Sequence, residues 1–191
     1  DDDDNVTSTT SVAIDQPNTL DSVYDGVGLQ TINVLTIDDD EPAILSIGDV
    51  SIAENVGSVS VTLSLDRTLP NSFTVQFSTA DGTAQEVGTG TGDYELVNTT
   101  VTFPANTLSV TQSITINDDS DVEDNETIIV SLGTPSDSQV SVGGTGTVTI
   151  TNDDTAVLSV NSMSVAENVG SALVTLSLDK TLPSSFTVQF S

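Results

Sequence analysis

The sequence predicts an all-β chain built of tandem antiparallel β-sandwich domains. Three observations carry that expectation. Apolar residues alternate with Thr and Ser at a period of two, no segment shows a helical period, and one block of sequence recurs downstream. Residues 43–78 and 156–191 align without a gap at a constant offset of 113, with 26 of 36 positions identical. A repeat of that length is too long for a solenoid unit and suits a sandwich domain of ~100 residues. The offset carries backward, where Leu35–Asp40 answers Val148–Asp153. The expected organisation is the C-terminal strands of one domain at 1–41, a complete domain at 42–154, and the N-terminal strands of a third at 155–191.

Within the complete unit, Ser58–Leu65 (SVSVTLSL) alternates strictly and reads as a half-buried strand. Ser72–Ser78 follows, with Phe73, Val75 and Phe77 on one face. Thr100–Phe103, Ser109–Ile116, Thr127–Leu132 and Thr147–Ile150 continue the pattern, rich in β-branched residues and bounded by Gly, Pro, Asn or Asp. The unit thus holds about seven strands, with Phe73, Phe77, Phe103 and aliphatic residues in a modest core. The Thr and Ser at alternate positions suit sheets with one face in water.

The 191 residues carry 29 acids against two bases, Arg67 and Lys180, and no His, for a formal charge of −27. Nucleic acid is excluded as a partner, because neutralising phosphates takes clustered Lys and Arg. No apolar run reaches the ~18–20 residues of a membrane helix, so no membrane insertion is expected in this window. With no Cys, disulfides and thiolate metal sites are absent. Catalysis is not expected either, since neither a general base poised near neutrality nor a Ser–His or Cys–His pair can be assembled.

The acids are clustered rather than spread over solvent faces. They gather at Asp1–Asp4, Asp38–Glu41, Asp118–Glu126 and Asp153–Asp154. Calcium takes six to eight oxygen ligands in flexible geometry, which clustered carboxylates supply. The spacing is not that of an EF-hand: in Asp119–Val130, Asp124 stands where the turn Gly belongs and Val130 where the bidentate Glu belongs. If the sandwich forms, the strand entrance at Glu54, a hairpin loop, the acidic loop and the exit converge at one pole, where their mutual repulsion calls for a counter-ion. Glu54 has little prospect of a salt bridge in a chain with two bases.

Six pieces in order resemble the Calx-β domain family: Ser51–Gly57 (SIAENVG), Asp81–Ala84 (DGTA), Gly92–Tyr94 (GDY), Thr100–Pro104 (TVTFP), Ile116–Thr127 (INDDSDVEDNET) and Gly146–Asp154 (GTVTITNDD). The resemblance implies an immunoglobulin-like sandwich with Ca2+ held in loops at one end. Carried over motif by motif, it implies Glu54, Asp81, Asp118, Asp119, Glu123, Asp153 and Asp154 as ligands, and Glu167 as the first ligand of the next unit. Two departures stand out. Asn152 replaces an acid of the exit triplet, which lowers the ligand charge there, and an insertion, QEVGTGT, separates DGTA from GDY.

The expected role is a calcium-stiffened structural repeat in a long extracellular or cell-surface array: an adhesin stalk, matrix component or filament. Its partners would be neighbouring repeats, identical subunits in a filament, through strand exchange among other routes, or cell-surface ligands. The alternative is a regulatory Ca2+ sensor attached to a transporter or receptor, in which binding shifts a conformational equilibrium.

Overall fold

The computed structural model describes residues 8–14, 30–36, 41–89 and 92–189. Asp1–Asp4, Asp38–Asp40 and Gly90–Thr91 of the insertion lie outside them. Among the described residues all regular structure is strand, apart from two short 3-10 turns. β1 (Ser8–Ile14) and β2 (Gln30–Thr36) pair antiparallel, with Ser8 opposite Thr36 and Ile14 opposite Gln30.

The central unit is a sandwich of two sheets whose first and last strands each serve both. β3 (Ala43–Ile47) lies in the first sheet and, after Gly48 and Asp49, β4 (Val50–Ala53) lies in the second. β5 (Ser58–Leu65), β6 (Phe73–Asp81), β7 (Asn98–Phe103), β8 (Ser109–Thr115) and β9 (Glu126–Leu132) follow. β10 (Val140–Val142) then pairs in parallel with β3, and β11 (Gly146–Thr151) in parallel with β4. The sheet orders are β10-β3-β5-β8 and β4-β11-β9-β6-β7. Counting each switching strand once leaves seven strands, an immunoglobulin-like arrangement.

The switch points are fixed by hydrogen bonds from backbone N–H groups. The Gly48 N–H donates to Thr62 O at 3.0 Å, Asp49 Oδ1 accepts the Thr147 N–H at 2.8 Å, and the Gly143 N–H donates to Leu45 O at 2.8 Å. A Cβ on Gly146 would fall 2.4 Å from Ile47 Cγ2, so only glycine lets the last strand cross the first at this point.

Alternation becomes burial. β5 turns Val59, Val61, Leu63 and Leu65 inward and its Ser and Thr outward. From the opposite sheet Phe73, Val75, Phe77, Ile128, Val130 and Val148 meet them, and Phe73 stacks on Phe103 with ring centroids 4.9 Å apart. Full burial of side chains this size contributes roughly 1.5–3 kcal/mol each, which is how so small an aromatic content suffices.

The topology brings one set of chain ends to a common pole. β4 and β11 run in parallel toward it, β6 and β8 end there, and β5 and β9 begin there. Beyond the exit, β12 (Leu158–Val160) and β13 (Leu176–Leu178) form a second hairpin. Its register, Leu158 opposite Leu178 and Val160 opposite Leu176, repeats that of Leu45 with Leu65 and Ile47 with Leu63. The same acid closes both hairpins: Asp66 Oδ1 accepts the Ile44 N–H at 2.8 Å, and Asp179 Oδ1 the Val157 N–H at 2.7 Å.

Candidate metal centre

Among the described residues, two groups of carboxylates sit at the common pole. In the first, oxygens of Glu54, Asp118 and Asp153 lie within 4.8 Å of one another. Glu54 opens the 3-10 turn Glu54–Val56 that follows β4, and Gly57, at φ 80°, redirects the chain into β5. That turn tucks the Glu54 side chain inward until it is only 6% exposed. Its Oε1 accepts the Asp153 N–H in a long bond of 3.4 Å. Burial, with Asp119, Asp153 and Asp154 nearby, pushes the Glu54 carboxyl above the usual carboxylate range, against the lowering effect of that bond. Asn55 Nδ2 donates to Asp153 Oδ2 and holds the exit acid toward the entrance.

In the second group, oxygens of Asp93, Glu123 and Glu126 lie within 4.8 Å of one another. Burial raises Glu123, reinforced by Asp93, Asp119 and Asp121. Burial also pushes Glu126 up to about 8, reinforced by a hydrogen bond to Asp93 and by the charges of Asp93, Glu123 and Glu54. Asp119 belongs to neither trio, yet its charge acts on Glu54 and on Glu123, so the groups form one electrostatic site. Its Oδ1 accepts the Asp121 N–H at 2.7 Å, which folds the acidic loop back on itself.

Hydrogen bonds tie the loop to its surroundings. Asn117 donates from Nδ2 to Gly92 O at 2.9 Å and from its backbone N–H to Asp93 O at 2.9 Å. Asp93 is also held by the Gln85 N–H, which donates to its Oδ2 at 2.7 Å.

Of the residues expected from sequence, Glu54, Asp118 and Asp153 come together, Glu123 joins the second trio, and Asp119 lies between. Asp154 stands at the edge. Its Oδ1 accepts from Lys180 Nζ at 2.9 Å, while its Oδ2 is buried without a partner among the described residues. Asp81 lies outside both trios, where its Oδ1 accepts the buried Tyr94 hydroxyl at 2.8 Å and the Glu86 N–H at 3.0 Å. Glu167 is exposed beyond the central unit and also lies outside both trios.

The DGTA motif works as a clamp. Gly82 and Ala84 N–H both donate to Thr127 O at 3.1 Å, and Thr83 Oγ1 accepts the Thr127 N–H at 2.9 Å. A Cβ on Gly82 would meet Thr127 O at 2.4 Å. The clamp grips β9 one residue after Glu126.

Two residues of the second trio, Asp93 and Glu126, were not among the expected ligands. The signal for Glu126 is the strand period, since it continues the inward row of Ile128 and Val130. Asp93 is the middle residue of GDY, beside the fully buried Tyr94.

These residues suit a hard divalent cation. The donors are carboxylate oxygens, several are raised by burial and by one another, and Asp154 Oδ2 is a buried acceptor with no donor among the described residues.

The sequence model of the Calx-beta domain matches residues 37–155. No curated protein matches the chain. Among solved structures, the apo-form Calx CBD1 domain is 25% identical with a TM-score of 0.52, over 60% of this chain and 100% of that one. CBD12 from CALX1.2 is 26% identical with a TM-score of 0.52, over 58% of this chain and 45% of that one. The calcium binding domain CBD12 of CALX1.1 is 25% identical with a TM-score of 0.50, over 58% of this chain and 44% of that one. The chain therefore spans less than half of each CBD12 structure.

Proposed function

The chain belongs to the Calx-beta domain family, and from that premise we propose that its acidic pole binds Ca2+ and that the repeat is a calcium-stiffened structural module of an extracellular array. The observation that carries the reading is Glu54, a carboxylate 6% exposed with Asp118 and Asp153 beside it and no basic side chain paired to it among the described residues. Leaving such a group charged without a cation is unfavourable, and a bound ion would supply two positive charges and several coordination positions for oxygen. The residues that would hold it are Glu54, Asp118, Asp119 and Asp153 on one side and Asp93, Glu123 and Glu126 on the other, with Asp154 at the exit. The likeness to a structure described as a calcium binding domain supports the same ion. Asp81 and Glu167 fit the ligand set less well, because neither lies in a trio.

The array role rests on the near-identical repeats and the hairpin register they share. It brings with it a cell-surface or extracellular setting and neighbouring repeats as first partners. The Ca2+-sensor reading uses the same chemistry and differs in output, a conformational shift transmitted to an attached transporter or receptor instead of a stiffened joint. Its support is the likeness to the Calx CBD12 structures.

The test is a calcium titration against a chelator control, read by thermal unfolding and small-angle scattering. Binding at a hundredfold excess over the dissociation constant stabilises the fold by about 2.7 kcal/mol, with a matching rise in Tm. An unchanged Tm at millimolar calcium removes the reading. A Tm rise without any change in the scattering profile leaves calcium binding in place and removes the stiffening.

A further inference from the structure

The chain's two bases occupy the same point of the repeat. Arg67 and Lys180 each follow the Asp that closes the first hairpin of their unit, in D-R-T-L-P and D-K-T-L-P. Lys180 stands 26 residues after Asp154, and Arg67 stands at the same interval after Glu41, the repeat equivalent of Asp154. In a chain with 29 acids, confining both positive charges to one repeat position is a placement that solubility does not require.

At Lys180 the structure shows what the position faces. The loop after β13 lies at the end of its unit opposite the entrance turn, so it meets the acidic pole of the unit before it. Lys180 Nζ donates across the joint to Asp154 Oδ1 at 2.9 Å, and both side chains are about three-quarters buried, at 26% and 23% exposed. Lys180 is the one hydrogen-bond partner of the Asp154 carboxylate among the described residues. Beside the pair, Thr181, Leu182 and Pro183 form one wall of an open groove of about 500 Å3, and Asp121–Glu126 form the facing wall. Polar and apolar residues of the third unit thus face, across this groove, the loop that carries half of the acidic site.

We propose that Lys180, in the D-K-T-L-P loop, is a latch between consecutive repeats, a built-in counter-ion that one unit inserts into the acidic exit of its predecessor and that orients the joint without metal, whereas Arg67 at the equivalent position lies 3.9 Å from Asp66 of its own unit. The partner it recognises is another copy of this repeat. A buried carboxylate calls for a cation, and Lys180, next to the hairpin-closing Asp179, supplies one to Asp154 Oδ1. The latch assumes consecutive repeats but goes beyond the calcium reading.

The chain has no Cys, so paired labels can be introduced cleanly. Ser64→Cys and Ser177→Cys are exposed, repeat-equivalent positions on β5 and β13, and spin labels there report the interdomain distance by double electron–electron resonance. All samples contain chelator and no added calcium, so a failure of the calcium reading leaves the outcome untouched. The labelled parent chain should give a narrow distribution, and Lys180→Arg should keep it. Lys180→Ala and Asp154→Asn should each widen it by about twofold, and the double variant no further, as expected of two residues acting as one pair. Asp154→Asn lies outside the hairpin, so its widening cannot come from a disrupted third unit. A distribution already broad in the parent, or widened by Lys180→Ala but not by Asp154→Asn, overturns the latch.

Discussion

Asn152 Oδ1 accepts the backbone N–H of Glu123 at 3.1 Å, which stitches the acidic loop to the exit strand. Its Nδ2 donates to Asp154 O at 3.0 Å, so both ends of the carboxamide are in use. The residue that stands where an acid was expected is a bracket between two acidic segments.

An Asn152→Asp substitution therefore removes a donor and adds a charge at the crowded pole. In chelator it should destabilise the fold by about 1 kcal/mol, the typical worth of a partly buried hydrogen bond. Urea unfolding measures it. Equal midpoints for the two proteins would mean that the bracket carries no weight.

Glu54→Gln keeps the shape of the side chain and removes its charge. Because burial and three neighbouring acids already disfavour that charge, the variant should melt above the parent in chelator. In calcium the order should reverse, with most of the ~2.7 kcal/mol of ligand stabilisation lost. Two melting curves per protein decide it, and the prediction fails if the order is the same in both conditions.

The raised carboxyls also fix a pH trend. Glu126 keeps its proton in the folded state up to about pH 8, whereas in the unfolded chain it releases it near the ordinary 4.5. Between those values the folded state binds more protons, so stability without metal should fall as pH rises from about 5 to 8. Glu54 and Glu123 act in the same direction. Calcium prefers the deprotonated groups, and in its presence the slope should flatten or invert. Tm against pH in chelator and in calcium reads both slopes, and a flat chelator curve would contradict the burial of these groups.

Gly82→Ala should force the DGTA clamp away from Thr127, since its Cβ would meet Thr127 O at 2.4 Å. The loss is expected at about 1–3 kcal/mol, typical of overpacking. Calcium affinity should fall with it, because Glu126 is the neighbour of Thr127. Isothermal titration calorimetry on the folded variant separates the two effects, and unchanged affinity would detach the clamp from the site.

Much of the fold is written in the period-two pattern. The span Ser58–Leu65 is a strand over the same residues, because nothing competes with its strict alternation. β6 runs on to Asp81, beyond the expected Ser78, because pairing of Thr79, Ala80 and Asp81 with β9 is a tertiary effect that a local pattern does not contain. β10 is three residues long and too short to show a period.

The site divides the same way. Cluster and motif lead to Glu54, Asp118 and Asp153, because these acids sit where strands enter and leave the pole. Which acids of the run 118–126 turn inward depends on how the loop is pinned, by Asn152 to Glu123 and by DGTA to Thr127. At Asp81, which its motif marks as a ligand, the Tyr94 hydroxyl and the Glu86 N–H occupy Oδ1.

The parallel ladder of β4 with β11 has a mechanical consequence. Val50 faces Val148 and Ala53 faces Thr151, so the first and last strands of the unit lie side by side, pointing the same way. A pull applied through the flanking chain draws β4 back by its N-terminal end and β11 forward by its C-terminal end. The bonds between them are then loaded in shear, all at once, instead of being peeled one after another. Resistance to extension is shared by this ladder and the parallel ladder of β3 with β10, where a force spectrometer would find the rupture that opens the domain.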